Sequence, residues 1–137
     1  MGRPMTRLTY WLVGALLTRQ TWTLELFLAI QSLTWGLWLL GPWSAFGQVP
    51  AAFTVLGLVP EPIWGGLFAA HGLAHLIALW KGDPHLCRRA AIVTAGLWSV
   101  VLGSFLVTVP LSTAVPIYGV NVLGASWVYM RLHWRFG

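Results

Sequence analysis

Four stretches of the chain run almost without charge: Trp22–Trp43, Pro62–Trp80, Ala90–Val109 and Ala114–Met130. A helix that crosses a bilayer needs about 20 mostly apolar residues, and all four are near that length. The pattern predicts an all-α fold, an integral membrane four-helix bundle forming one domain over residues 1–137. Proline-containing breaks part the first pair (GPWSAFGQVPAAFTVLGLVPEP) and the last pair (VPLSTAVP), and KGDPHLCRR parts the middle two. Pro60 and Pro62 suit a helix start, and Glu61 then sits at the positive end of the helix dipole. Two shorter apolar runs do not span. Leu8–Leu17, within the N-terminal segment 1–21, is predicted to lie as a short interfacial helix on the basic side. Ala51–Leu58 is expected to form a second interfacial helix on the opposite face.

Against this apolar background the polar positions stand out. Centring the four spans on one plane puts His71 in the middle of the second, with Gln31 and Ser32 near the middle of the first, Ser99 of the third and Asn121 of the fourth. Polar side chains in hydrocarbon bond across helices, each such bond being worth roughly 0.6 to 2 kcal/mol. The expected use of His71 is therefore a midplane polar layer with Gln31, Ser32, Ser99 or Asn121. His75 follows one turn later, about 6 Å along the axis. Glu25 reaches a similar depth and is the only acid inside a predicted span. An acid in that setting marks a functional-site candidate. Glu25 and His75 are thus a candidate proton pair, with the alternative that Glu25 turns outward to the headgroups and both residues serve structure alone.

Small residues recur seven apart in every span: Ala29 and Gly36, Gly65 and Gly72, Gly96 and Gly103, Gly119 and Ser126. That spacing keeps small side chains on one seam of left-handed packed helices. These eight are the expected helix-packing positions.

Composition supports the membrane reading: 58% of residues are hydrophobic and 8% charged, against about 25% charged in an ordinary soluble domain. Among 137 residues the formal charge is +5, which in a soluble protein would suggest nucleic acid. Here the positions of the charges give another reason. Arg3, Arg7 and Arg19 precede the first span, Lys81, Arg88 and Arg89 separate the second and third, and Arg131 and Arg135 follow the fourth. The other two connections have no Lys or Arg, so by the positive-inside rule both termini are expected in the cytoplasm. The expected location is the bacterial inner membrane, multi-pass, with the lipid bilayer as partner and no nucleic acid. Trp22, Trp43, Trp64, Trp80, Trp127 and Trp134 lie near span ends, where indoles anchor at the interface. Trp35, Trp38 and Trp98 are deeper and are expected to pack or to face lipid.

Metal and haem are disfavoured by ligand counting. Two histidines on one helix face need a further one or two ligands for zinc, Glu25 is the only obvious third, and two neighbours on one helix cannot hold opposite faces of a haem. No cofactor is expected. Cys87 gives no disulfide and no metal pattern. The sequence carries no phosphate-binding loop, nucleophile motif or cysteine cluster, so an enzyme is not expected.

The stretch VPEPIWGGLFAAHGLAHLIALWKG, the basic loop, a Trp-containing third span and STAVPIYGVNVLGASWVYMRL resemble a group of small membrane proteins of tailed bacteriophages and prophages. In that group a Pro-Glu-x-x-Trp-Gly element opens a span, and a Tyr-containing last span ends in basic residues. The resemblance covers Val59–Leu132 and does not include His71 or His75. It implies a phage-type protein acting on or within the host membrane, holin-like, working as an oligomer. Met1 and Met5 flank Arg3 in the manner of the paired starts of some holins. A small proton-coupled transporter using Glu25 and His75, and a structural or assembly subunit beside other membrane subunits, remain as alternatives.

Overall fold

The computed structural model describes residues 21–136; the Leu8–Leu17 segment, Met5, Arg3, Arg7 and Arg19 lie outside them. Among the described residues all regular structure is helical: α1 (Trp22–Leu39), α2 (Ala45–Gln48), a 3₁₀ turn (Leu56–Leu58), α3 (Glu61–Lys81), α4 (Pro84–Thr108) and α5 (Ala114–Phe136). The four long helices pack antiparallel to their chain neighbours. α1 lies most extensively on α3, and α4 on α5, so the molecule is two helix pairs meeting along a narrower seam between α3 and α4.

The helix boundaries differ from the expected spans for local reasons. The first span ends at Leu39 rather than Trp43, because Gly41-Pro42 follows and proline cannot extend the backbone ladder. The third begins at Pro84 rather than Ala90. Asp83 caps it, its carboxylate accepting from the amides of His85 at 2.8 Å and Leu86 at 3.4 Å, and Pro84 holds the first helical position, where a missing N–H costs nothing. Most of the expected basic loop is therefore helix, and Gly82 and Asp83 alone turn the chain. Gly82 has φ 66°, a left-handed cap open to glycine without strain. The fourth helix continues past Met130 to Phe136.

Ala51–Leu58 is not a helix on a membrane face. It forms turns and the 3₁₀ segment, folded over one end of the bundle with Ala52, Phe53 and Leu56 buried against Phe68, Trp98, Val101 and Phe105. Polar ties fix it there. The Glu61 carboxylate accepts from the amides of Ala45 at 2.9 Å and Phe46 at 3.3 Å. The Trp64 indole donates to the Leu56 carbonyl at 2.8 Å, and the Thr108 hydroxyl, 2.8 Å from the Ser104 carbonyl of its own helix, is shared with that of Ala52 at 3.2 Å. Glu61 thus satisfies the first amides of α2, beyond its expected use at the start of its own helix.

α3 and α4 are long and apolar enough to cross a membrane. At 1.5 Å per residue the 21 residues of α3 extend about 32 Å, close to the hydrocarbon thickness of about 30 Å. The described basic residues Lys81, Arg88, Arg89, Arg131 and Arg135 collect at the end formed by the close of α3, the start of α4 and the close of α5.

Half of the expected small-residue seam holds α1 to α3. A Cβ on Gly36 would lie 2.3 Å from the Ala69 amide nitrogen, and one on Gly72 would lie 2.5 Å from that of Leu33. Gly65 meets the Gly36 carbonyl and Leu40, and Ala29 is fully buried in the core at the basic end. The other half differs. Gly96, Gly103 and Gly119 have no neighbour within 4 Å of an added Cβ, and Gly96 and Gly103 are exposed. The buried line of α5 is Asn121, Ala125, Val128 and Leu132 instead, leaving Gly119 and the half-buried Ser126 off it.

Candidate functional site

Five buried or half-buried polar side chains, four on three helices and Thr21 at the cap of α1, converge in the basic half of the bundle. Their meeting follows from the turn at Gly82-Asp83. His71 precedes Gly82 by as many residues as Thr94 follows Asp83, so a tight antiparallel pairing of α3 and α4 brings them level. His71 Nε2 lies 2.7 Å from the Thr94 hydroxyl, and His75 Nδ1 lies 3.4 Å from the same oxygen. The two imidazoles are 5.9 Å apart, centre to centre, as two residues one turn apart on a helix face should be. Beyond them His75 Nε2 stands 4.0 Å from Glu25 Oε2, both side chains fully buried. The Thr21 hydroxyl closes the series by donating to Glu25 Oε1 at 2.7 Å.

Hydrogen counting restricts the protonation states. A threonine hydroxyl has one proton to give, and that of Thr94 points to the Ala90 carbonyl at 2.9 Å. With that bond made, both histidine nitrogens facing Thr94 must be donors. The tautomers that complete both contacts have His71 donating from Nε2 and His75 from Nδ1, with His75 Nε2 toward Glu25. Glu25 Oε2 and His75 Nε2 are the two facing atoms of the pair that can take up or release a proton. A separation of 4.0 Å exceeds hydrogen-bonding range, so transfer between them needs a small approach or an intervening water.

The expected midplane layer does not form as a layer. His71 bonds to Thr94 and to none of Gln31, Ser32, Ser99 or Asn121. Ser32 accepts from the Trp98 indole at 3.2 Å, crossing from α1 to α4. Ser99 is exposed and its hydroxyl returns to the Ala95 carbonyl of its own helix at 2.6 Å. Gln31 Oε1 and Asn121 Nδ2 are buried with no hydrogen-bond partner among the described residues. Ser99 is the centre of a span that starts at Ala90, whereas the helix begins at Pro84. The true register puts Thr94, absent from the expectation, at the level of the histidines. The Asp83-Pro84 start signal was the feature that could have found it.

Above the polar chain the bundle is closed by rings. Trp35, Phe68 and Trp98 meet with centroids 4.6 to 5.4 Å apart. Tyr118 continues the group to Trp98 at 5.4 Å and Phe105 at 5.0 Å, and Phe53 caps it from the 44–60 connection. Of the expected interfacial anchors, Trp43, Trp80, Trp127 and Trp134 are exposed, whereas Trp22 is buried in the core at the basic end and Trp64 is half-buried and tied to Leu56. The polar chain therefore has an aromatic wall on one side. On the other, the His71 ring reaches a cleft of about 260 Å³ between α3 and α4, with Arg89 among its lining residues.

Among the described residues no group of three or more His, Cys, Asp or Glu side chains is placed to hold a metal ion. Comparison of the chain with protein-family models, curated proteins and solved structures finds no match.

Proposed function

We propose that the chain is a polytopic protein of the bacterial inner membrane, its four long helices crossing the bilayer with the basic end in the cytoplasm, and that its buried polar chain handles protons. The membrane part is supported by an inverted distribution of polarity. Large apolar side chains are exposed on every long helix, among them Phe27, Ile30, Leu67, Leu73, Val100, Leu106, Val120 and Leu123, while Glu25, Ser32, His75, Thr94, Ser104 and Asn121 are buried. Such extensive exposed apolar surface belongs against lipid rather than water. α1, with 18 residues and Glu25 in its first turn, and α5, with His133 and Arg135 in its last, cross as members of the bundle whose polar residues face protein or the interface.

The observation that carries the proton reading is the continuity of Thr21, Glu25, His75, Thr94 and His71 across three helices. Interhelical bonding needs two polar groups; here a carboxylate, two imidazoles and two hydroxyls adjoin in sequence, and ionisable groups inside a membrane mark proton relays. The aromatic wall prevents a static pore, so the chain suits a transporter in which protonation of the pair is coupled to a shift of one helix pair on the other. We therefore prefer the transporter reading to the holin-like one.

The holin-like reading, a phage-type membrane protein acting as an oligomer, is favoured by one feature. Gly96, Ser99 and Gly103 occupy the exposed face of α4, and small residues on a lipid face permit close approach of another helix. Induced expression in bacteria with simultaneous cytoplasmic pH and membrane-potential dyes separates the two. The proton reading predicts graded pH change, abolished in Glu25→Gln at equal protein level. Abrupt, timed depolarisation that persists in Glu25→Gln would favour the oligomeric reading.

A further inference from the structure

The polar chain leaves unexplained the cleft that reaches it from outside. Its walls are largely apolar, with Leu86, Ala78 and Ile77 nearest the basic end, Arg89 and Ala90 at mid-length, and Val93 and the His71 ring at the far end. Val93 is four positions after Arg89, about 6 Å along α4. Of the two acids at this end of the bundle, Glu25 is fully buried and Asp83 caps α4, and Lys81, Arg88, Arg131 and Arg135 outnumber them. The cleft thus pairs a cationic rim with an apolar slot. At about 260 Å³ it is smaller than the roughly 300–1,000 Å³ of sites that enclose a drug-sized molecule, and suits one chain of a larger ligand whose remainder lies outside.

We propose that this cleft is a specific site for an anionic phospholipid of the cytoplasmic leaflet, resting on the membrane reading above. The phosphate pairs with Arg89 at the rim, and one acyl chain enters between α3 and α4 as far as His71. Both parts are required by the lining: an arginine fork is matched to phosphate oxygens, and the slot beyond it offers only hydrocarbon contact until the imidazole. Basic pockets between membrane helices on the cytoplasmic side select lipids in this way. An occupied cleft covers the outer edge of the His71 ring, so the lipid also closes the lateral approach to the polar chain.

The test is native mass spectrometry of the detergent-solubilised chain titrated with phosphatidylglycerol or phosphatidylcholine, after recovery from alkali-washed membranes. Release by the alkaline wash would fail the membrane reading itself. For retained protein, one phosphatidylglycerol is expected to bind in preference to phosphatidylcholine. Arg89→Gln should weaken it about fivefold, the worth of one basic residue near an anionic surface. Ala90→Phe should remove it with the arginine in place, and Arg88→Gln, outside the cleft lining, should weaken it clearly less than Arg89→Gln. Because Ala90→Phe risks misfolding, Ala74→Leu provides a second filled cleft. Equal losses in Arg88→Gln and Arg89→Gln, retention of phosphatidylglycerol in both filled clefts, or competition by millimolar inorganic phosphate as strong as that of the lipid would each overturn the site.

Discussion

Glu25 Oε2 and His75 Nε2 stand 4.0 Å apart with neither side chain exposed, and the pair joins the first of the two helix pairs within itself, α1 to α3. At 4 Å two unit charges interact by about 4 kcal/mol at an effective dielectric constant of 20, a scale at which each residue's charge governs the other's. The stability of Glu25→Gln, His75→Gln and the double variant, measured by reversible unfolding in mixed micelles, should therefore be non-additive by about 1–3 kcal/mol. Additive losses would mean that the two side chains do not communicate.

Thr94 is the bridge between the histidines. Thr94→Val keeps the shape and removes the hydroxyl, leaving two imidazole nitrogens without their common partner. It should cost about 1–2 kcal/mol, the upper range for interhelical bonds in membranes, and Thr94→Ser should restore most of the loss. If valine is as stable as threonine, the hydroxyl does not hold α3 to α4.

The glycines separate into two groups with opposite expectations. Gly36→Ala and Gly72→Ala force α1 and α3 apart, since the new Cβ would meet backbone atoms at 2.3 and 2.5 Å, and each should destabilise the chain by about 1–3 kcal/mol. Gly96→Ala and Gly103→Ala meet nothing within 4 Å and should leave stability unchanged or raise it by up to about 1 kcal/mol, because alanine favours a helix interior. The same four variants measured by unfolding midpoint decide whether the seam lies where it is described.

Orientation has its own check. Reporter fusions after Gly47 and Gly82 should signal opposite sides of the membrane, with Gly82 cytoplasmic by the positive-inside rule. Matching signals would remove the four-span arrangement.

Hydropathy and spacing made the long helices legible, along with the Gly36, Gly65 and Gly72 seam, because both follow from single-helix periodicity. The depth match of Glu25 with His75 was legible too, by counting rise along each span. What failed was register between helices. Span ends drawn from charge alone set the start of the third helix at Ala90, six residues after Pro84, and moved its polar centre from Thr94 to Ser99. The Ala51–Leu58 segment misled for a different reason. Its apolar residues fit an interfacial helix as well as they fit a cap over the bundle, and Glu61, Trp64 and Thr108 decide between these only once the fold brings them together.

The central claim is that Glu25 and His75 hold a proton that the pair can exchange. Infrared difference spectroscopy of the chain in lipid, stepped between about pH 5 and 8, the range in which histidine-linked sites titrate, reads this directly from the carboxylic acid carbonyl band. The account predicts one such band, changing in intensity with pH, absent in Glu25→Gln and altered in pH dependence by His75→Phe. A spectrum in which no carboxyl band changes with pH, or one identical in wild type and Glu25→Gln, would contradict it and leave both residues as ties between helices.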